Sequence, residues 1–598
     1  MASASIPASA STVSDVIAAA LARHRVEVTF GQSLPSAVQL ALADRSIRQF
    51  AYRTENAGSY MADAYARISR KVGVVTAQNG PAATLLVPGL AEAMKASVPI
   101  VALVQDVPMR YVGKNAFQEF DHARLFSSCS KWFARLDDPD RVDDYVDAAF
   151  TAAASGRAGP SVLMLPMDLQ VMPASPSPAR TASLGTYPLD RSSPAPDVVA
   201  RAAEALLNAR NPVVIAGGGI HLSDASKELS ELQDLASLPV ATTVMGKGSV
   251  AETHPLSIGV AGYLMGRFGA TQPLRALVQE ADVVLLVGTR TNQNGTDTYS
   301  LFNPAARFIH IDVDPTEIGR NFEALRLVGD AKLALGALVA AMRAGDLSRR
   351  RDARRAVEGA IARGRDVHQH EVAALLASEA SPVRPERMMA EMRKVLTGDT
   401  IVCADASYSS VWMANYLTAA GPGTRFLSPR GLAGLGWGMP MAMGAKVAAP
   451  DSTVLALVGD GGFAHVWSEL ETAVRTRTAI VVTVLNNGVL GYQKDAEDCR
   501  HGRHTNACYF EPVDHAAVAR ACGAKGIRVE HAGDYAEALR EGISAGVPCV
   551  IDVVTDSMAY PPLTAFDDKL EEVRKARSAA NGECAGVGAA AEPEPSLR

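Results

Sequence analysis

The sequence predicts an α/β fold of three consecutive parallel-sheet domains, and three observations lead to that expectation. The chain has 598 residues, more than one hydrophobic core supports, so three or four domains are expected. Short apolar runs rich in β-branched residues end in Gly or Asn and lead into longer helical periods. Examples are residues 72–77 before Asn-Gly-Pro, 212–216 before three glycines, 282–288, 308–313, 454–458 before Gly-Asp-Gly-Gly, and 480–485 before Asn-Asn. Such runs are strands of parallel sheets covered on both faces. Two segments interrupt the pattern. Residues 172–197 are dense in Pro and Ser, and 346–384 open with a strongly charged run and close on a short apolar helical pattern. These read as an extended linker and a solvated helical connection. They leave domains at 12–171, 198–345 and 385–565, with a mobile tail over 566–598.

Composition narrows the function classes. Hydrophobic residues are 48 % and charged residues 20 %, a globular balance. A net charge of −6 excludes a dedicated nucleic-acid binder but not a local basic patch. No apolar run reaches the length of about 18 residues that a membrane span needs. The first sixteen residues lack the basic and apolar regions of a secretory signal, and read as a loose leader. Seven cysteines, scattered and without a Cys-x-x-Cys pair, indicate reduced thiols and a cytoplasmic protein.

The most informative segment lies in the third block. A strand ends before Gly459-Asp460-Gly461-Gly462, and the next strand ends in Asn486-Asn487. Adjacent parallel strands joined by one crossover helix bring Asp460 and Asn487 together. A carboxylate, an amide oxygen and a backbone carbonyl are hard ligands for Mg²⁺ or Ca²⁺. Amides at Gly461 and Gly462 suit a diphosphate. Taken alone, Gly-Asp-Gly is a tight turn that happens to hold Asp; the pairing with Asn-Asn at this spacing is what points to a metal. In the first block, Glu55 opens a small-residue helix over 55–67, where a carboxylate also serves simply to complement the helix dipole.

With those motifs the chain resembles the acetohydroxyacid (acetolactate) synthase and pyruvate oxidase family of thiamin diphosphate enzymes, over roughly residues 12–560. The resemblance implies a pyrimidine-binding domain, a central Rossmann-like domain and a diphosphate-binding domain, in that order. It makes Asp460, Asn487 and the Val489 carbonyl the Mg²⁺ ligands, and Gly459, Asp460, Gly461, Gly462, Asn487, Asp405, Tyr408 and Ser409 part of the cofactor site. The family's Gln and His are absent beside Asp405. Segment 51–67 matches the family element whose glutamate, here Glu55, hydrogen-bonds N1′ of the aminopyrimidine and favours the imino tautomer that deprotonates C2. Thr54 stands in place of the family's His and Ala64 in place of its Gly. Gly80 follows the next strand on the cofactor side. Loop 431–440 resembles the family loop whose apolar wedge bends the cofactor, which assigns Gly434 and Leu435.

The same resemblance makes Gly217, Gly218, Arg290, Asp312 and Asp330 the candidates for an FAD site in the central domain, with ADP or no ligand as the other expectations. Phe117 and Gln118 approach the reacting carbon, Arg110 is a carboxylate anchor, and His465 is either a proton relay or a packed histidine. Departures weigh against acetolactate synthesis for branched-chain amino acids. Asp106 replaces a family glutamine, and the family tryptophan after Asn487 is missing. In its place is a segment read as a mobile lid, with Arg500, His501, Arg503 and His504 offering positive charge. Cys499, His501, His504 and Cys508 do not have zinc-finger spacing. The implied activity is a thiamin diphosphate- and Mg²⁺-dependent lyase or carboligase on a small 2-oxo acid, with protonation or carbon–carbon ligation of the enamine. The alternatives are an FAD-linked pyruvate oxidase-like oxidoreductase and a non-catalytic regulatory partner. Because Glu55 and Asp460 serve one cofactor from different subunits in this family, a homodimer or homotetramer is implied.

Overall fold

The computed structural model describes residues 11–584; the first ten residues of the expected leader lie outside the described part, and its remainder enters the helix Val13–Arg23, capped by Thr12, with Val13 and Val16 buried. Three six-stranded parallel sheets follow one another along the chain. The first contains β1 (Val28–Gly31), β2 (Arg48–Phe50), β3 (Gly73–Ala77), β4 (Ile100–Asp106), β5 (Trp132–Arg135) and β6 (Pro160–Pro166), in the order β2-β1-β3-β4-β6-β5. The second contains β7 (Pro212–Ala216), β8 (Val240–Thr242), β9 (Ser257–Val260), β10 (Val283–Val287), β11 (Arg307–Asp312) and β12 (Ala324–Val328), in the order β12-β11-β10-β7-β8-β9. The third contains β13 (Ile401–Ala404), β14 (Arg425–Leu427), β15 (Val454–Gly459), β16 (Val481–Asn486), β17 (Lys525–Val529) and β18 (Cys549–Val554), and its order β14-β13-β15-β16-β18-β17 repeats that of the first. Central strands such as β4 and β16 are buried along their whole length, as the unbroken apolar runs require.

Strand order fixes where ligands can bind, because open parallel sheets form a crevice at the carboxyl ends where the order reverses. In the third sheet that point lies between β13 and β15, and in the second between β7 and β10.

The first and third domains share one continuous core running from Val13 through Met61 to Phe463 and Val482, whereas the central domain carries two apolar clusters of its own. The junction is the crossing of helix Glu55–Ser69 over helix Gly438–Ala448. Gly444 makes that crossing possible: a Cβ there would stand 2.8 Å from the Met61 carbonyl carbon. Tyr60 stacks on Trp437 with ring centroids 3.6 Å apart.

Two connections differ from the sequence reading. The charged segment after 346 and the apolar pattern that follows form one helix, Ser348–Leu376. Its arginines strap it to the central domain: buried Arg350 donates to the Ala209 carbonyl at 2.7 Å, and Arg365 donates to the carbonyls of Glu252, His254 and Ser257. The tail expected to be mobile from 566 begins instead as helix Asp567–Cys584. Leu570 is fully buried in the third-domain core, and Arg574 sits 4.7 Å over the Tyr560 ring. An apolar residue every few positions among charges is a faint signal, and it takes the partner surface to bury it. The rest of the expected tail lies outside the described residues.

Candidate functional site

At the carboxyl edge of the third sheet one cavity is lined by Asp405, Tyr408, Ser409, Leu435, Gly459, Asp460, Gly461, Gly462, Asn487 and Val489. These residues come from the ends of β13, β15 and β16 and from the glycine loop after β14. Asp460 is 7 % exposed. Its Oδ1 accepts the Gly461 amide at 2.8 Å and its Oδ2 the Gly488 amide at 2.7 Å. Burial pushes its pKa up to about 6, against the lowering pull of those amides. No ion pair to a cation is formed by Asp460 among the described residues. Asn487 Oδ1 accepts the Val489 amide at 3.1 Å. Upstream, Asn486 is fixed by donating to Asp552 Oδ1 and to the Val513 carbonyl, both at 2.9 Å, so the Asn-Asn turn is held from below. Asp552 has no part in the motif and shows no sequence signal of its own.

The glycines are required by close contacts. At Gly461 a Cβ would come within 2.9 Å of Phe510 Cε2, and at Gly462 it would collide with Asp405 Oδ2. A carboxylate, an amide oxygen and a backbone carbonyl beside a small-residue turn match what Mg²⁺ and a diphosphate demand.

Two residues in this cavity have other principal tasks. Asp405 is fully buried, and its oxygens accept the amides of Ala406 (2.9 Å), Gly436 (3.0 Å) and Trp437 (3.1 Å). The carboxylate thereby ties down the glycine loop that carries Leu435. Burial raises its pKa, and the three amides oppose the rise. Gly436 lies in the left-handed region (φ 84°), which only glycine adopts without strain. Gly434 stands behind the loop, where a Cβ would meet Trp437 Nε1 at 3.1 Å. Tyr408 lines the cavity with its ring while its hydroxyl donates to Asp495 Oδ2 at 2.6 Å.

Asp495 belongs to helix Gly491–His501, which forms where a mobile lid was expected. Lys494, Asp495 and Asp498 are buried on its inner face, with Lys494 Nζ 2.8 Å from Asp495 Oδ1. The chain then returns through Asn506–Cys508 to pair Tyr509 with Val489, and Phe510 covers Gly461. Arg500, His501 and Arg503 are exposed at the helix end. His504 instead bonds Asp498 and the Tyr509 hydroxyl, each at 2.8 Å. Cys499 packs against the third-domain core, and Cys508 Sγ lies 3.8 Å from Glu497 Oε2. The buried charged face, unreadable without its partners, is what orders this segment.

Glu55, Gly80, Phe117, Gln118 and His465 do not line the Asp460 cavity of the same chain. Glu55 starts its helix, and burial raises its pKa. Gly80, at φ 62°, backs onto Gln118, whose Oε1 accepts from Gln78 Nε2 at 2.7 Å. The Gly80 amide donates to His122 Nε2 at 3.0 Å. Asp106 pairs with Arg135 at 2.7 Å and lies 3.8 Å from His122, so it is committed within the first domain. Phe117 is 83 % exposed. Arg110 lies 4.9 Å over the Tyr111 ring. His465 is exposed beside the glycine loop, with Cβ 2.9 Å from where a Gly436 Cβ would stand.

A larger cavity, about 160 Å³, opens at the β7/β10 crevice between the central and first domains, where Gly218, Arg290, Asp312 and Asp330 face Ser97, Arg157 and Tyr187. Gly217, also expected at this site, does not line it: it packs against the neighbouring turn, where a Cβ would collide with the Gly288 carbonyl. Buried His310 contacts the Thr289 carbonyl at 2.9 Å and fixes the turn bearing Arg290. Burial lowers the pKa of Arg290 and raises that of Asp312 to about 6. Asp330 is saturated instead: it caps helix Ala331–Ala344, pairs with Arg191 at 2.7 Å and accepts from Ser223 Oγ at 2.6 Å. It lines the cavity as a structural cap.

Comparison with known proteins agrees with this architecture. Family models match in order: the thiamine pyrophosphate enzyme N-terminal TPP binding domain over residues 11–125, the central domain over 199–338, and the C-terminal TPP binding domain over 405–553. The chain is 32 % identical to a probable acetolactate synthase large subunit of Methanocaldococcus jannaschii, covering 94 % of each chain. It is 30 % identical to an acetolactate synthase of Arthrospira platensis, over 92 % of this chain and 95 % of that one. It is also 30 % identical to a chloroplastic acetolactate synthase of Arabidopsis thaliana, over 93 % and 84 %. A three-sheet chain that meets these models domain by domain, and these relatives along nearly all of its length, belongs to the thiamin diphosphate enzymes of the acetolactate synthase group.

Proposed function

We propose that the chain is a thiamin diphosphate- and Mg²⁺-dependent lyase or carboligase acting on a small 2-oxo acid, of the kind its acetolactate synthase relatives represent. The observation that carries this reading is the buried Asp460 carboxylate, raised to a pKa of about 6, beside Asn487 and a glycine turn at the reversal of the third sheet. Asp460, Asn487 and the Val489 carbonyl would hold Mg²⁺, and the ion with Gly461, Gly462 and Ser409 would hold the diphosphate. When bound, thiamin diphosphate supplies an acidic carbon that adds to the 2-oxo carbonyl and takes up the electron pair released with CO₂.

This chain's residues then orient and protonate. Glu55 holds a proton at N1′ of the aminopyrimidine; burial raises its pKa, so the protonated form persists to higher pH than on an exposed glutamate. Leu435, on the loop that Asp405 anchors, supports the bend between the cofactor rings. Phe117, Gln118 and Arg110 face the substrate, and His465 moves a proton at the product carbon. Since Glu55 lies outside the Asp460 cavity of its own chain, we assign the complete site to two subunits. Exposed Met109, Tyr111, Val112, Phe117 and Phe120 on one loop support such a contact. Gly218, Arg290 and Asp312 suit the phosphates and ribose of a dinucleotide such as FAD at the β7/β10 crevice. A cytoplasmic location completes the reading, supported by the free thiols of Cys129, Cys403, Cys499, Cys508, Cys522 and Cys549.

The test is a panel of 2-oxo acids, with and without aldehyde or 2-oxo acid acceptors, read by mass spectrometry of products. Turnover that needs both thiamin diphosphate and Mg²⁺ and is nearly abolished in Glu55→Gln is expected. Full turnover in that variant, or without cofactor, refutes the reading. A flavin absorbance band and a dimer or tetramer in solution test the two finer assignments.

A further inference from the structure

The helix that begins at Glu55 does not use the cap its sequence offers. Thr54 stands at the N-cap in extended backbone, but its side chain accepts no amide of the first turn. Helix starts leave donors that another group must satisfy. Glu469, on helix Glu469–Arg475 of the third domain, satisfies the two at the entry. It is fully buried. Its Oε1 accepts the Thr54 amide at 2.9 Å and the Arg53 amide at 3.1 Å, and lies 3.3 Å from Thr54 Oγ1. Its Oε2 lies 3.2 Å from the Arg53 nitrogen and accepts from Thr472 Oγ1 at 2.8 Å. The same helix grips the entry strand again, Arg475 donating to the Ala51 carbonyl and Glu471 accepting from Arg53, each at 2.8 Å. Those outer contacts are exposed and contribute little. The buried carboxylate is the one that fixes the backbone immediately before Glu55.

We propose that Glu469 is a positioning residue for the reaction: through the amides of Arg53 and Thr54 it sets where the Glu55 carboxyl points. The proposal rests on the reading of Glu55 as the partner of the aminopyrimidine. Its physical basis is that one buried carboxylate is the acceptor for both amides entering the first turn. Without Glu469 the two amides lose their acceptor, and the turn is expected to rotate or fray toward solvent. The cofactor's phosphate and metal ligands lie elsewhere, so affinity and proton chemistry separate.

The experiment uses the full-length holoenzyme with thiamin diphosphate and Mg²⁺. One readout is exchange of the bound cofactor's C2 hydrogen with deuterated solvent, followed by acid quench and NMR; the other is cofactor affinity by calorimetry. Glu469→Ala is expected to slow exchange about tenfold or more while affinity changes less than about threefold. Glu469→Gln, which keeps an acceptor oxygen, is expected to recover most of the rate. Should the alanine variant not fold, Glu469→Asp serves, because its shorter side chain draws the oxygens away from both amides. Parent-like exchange in the alanine or aspartate variant, with Glu55→Gln slow, overturns the positioning role alone. Exchange and affinity falling in step show a merely structural residue and also overturn it. Parent-like exchange in Glu55→Gln overturns the Glu55 reading and this inference together.

Discussion

Asp405→Ala is predicted to free the glycine loop that carries Leu435 while leaving the third sheet intact. The carboxylate accepts three buried amides, two of them from Gly436 and Trp437, more than thirty residues along the chain. Each amide left without a partner costs about 1–3 kcal/mol. The Ala406 amide is local and readjusts, so the two loop amides set the scale at roughly 2–6 kcal/mol. Part of that returns, because burying the carboxylate is itself unfavourable, as its raised pKa shows. A net loss of about 2–4 kcal/mol is expected for alanine, and about half for Asp405→Asn, which keeps one acceptor but turns its NH₂ on an amide. Urea unfolding of the apo- and holoproteins, with calorimetry of thiamin diphosphate binding at saturating Mg²⁺, measures both effects. Cofactor affinity is expected to fall further in the alanine than in the asparagine variant. An alanine variant as stable as the parent, binding cofactor equally well, refutes the argument that this carboxylate holds the loop.

Three further outcomes follow from the same geometry. Gly444→Ala puts a Cβ against the Met61 backbone where two helices cross, and is expected to destabilise by about 1–3 kcal/mol or more in urea, and to lower turnover by displacing the Glu55 helix. His221 and His310 are held neutral by burial, with pKa values lowered from 6.5 to about 3 and about 4. Between pH 6.5 and 4 the unfolded chain therefore binds protons that the folded one does not, and stability falls as the solution is acidified through that range. Replacing His310 by Gln is expected to flatten the profile by up to about 3 kcal/mol, and a profile unchanged by it rejects the assignment. Ending the chain at residue 565 removes fully buried Leu570 and the Arg574 contact on Tyr560. A loss of at least about 2 kcal/mol and faster proteolysis of the third domain are expected.

What the sequence determined by itself is local: strands as unbroken apolar runs, turns as glycines at their ends, and the Gly-Asp-Gly and Asn-Asn pair at the spacing of adjacent parallel strands. Those signals survive in one dimension because each belongs to a single strand and the turn after it. The tertiary structure decided which partner each polar group found. Asp405 and Tyr408, legible as part of a cofactor loop, spend their oxygens on the glycine loop and on Asp495. Asp330 became a helix cap, and the charged segment after Asn487 became an ordered helix because its buried face met Tyr408 and the C-terminal helix. Glu469 and Asp552 carried no signal, since a glutamate or aspartate among apolar residues looks the same whether it faces water or a backbone amide from another part of the chain. Hydrogen-bond satisfaction is a property of what the fold brings near, and the donors that complete these desolvated carboxylates arrive from elsewhere in the chain.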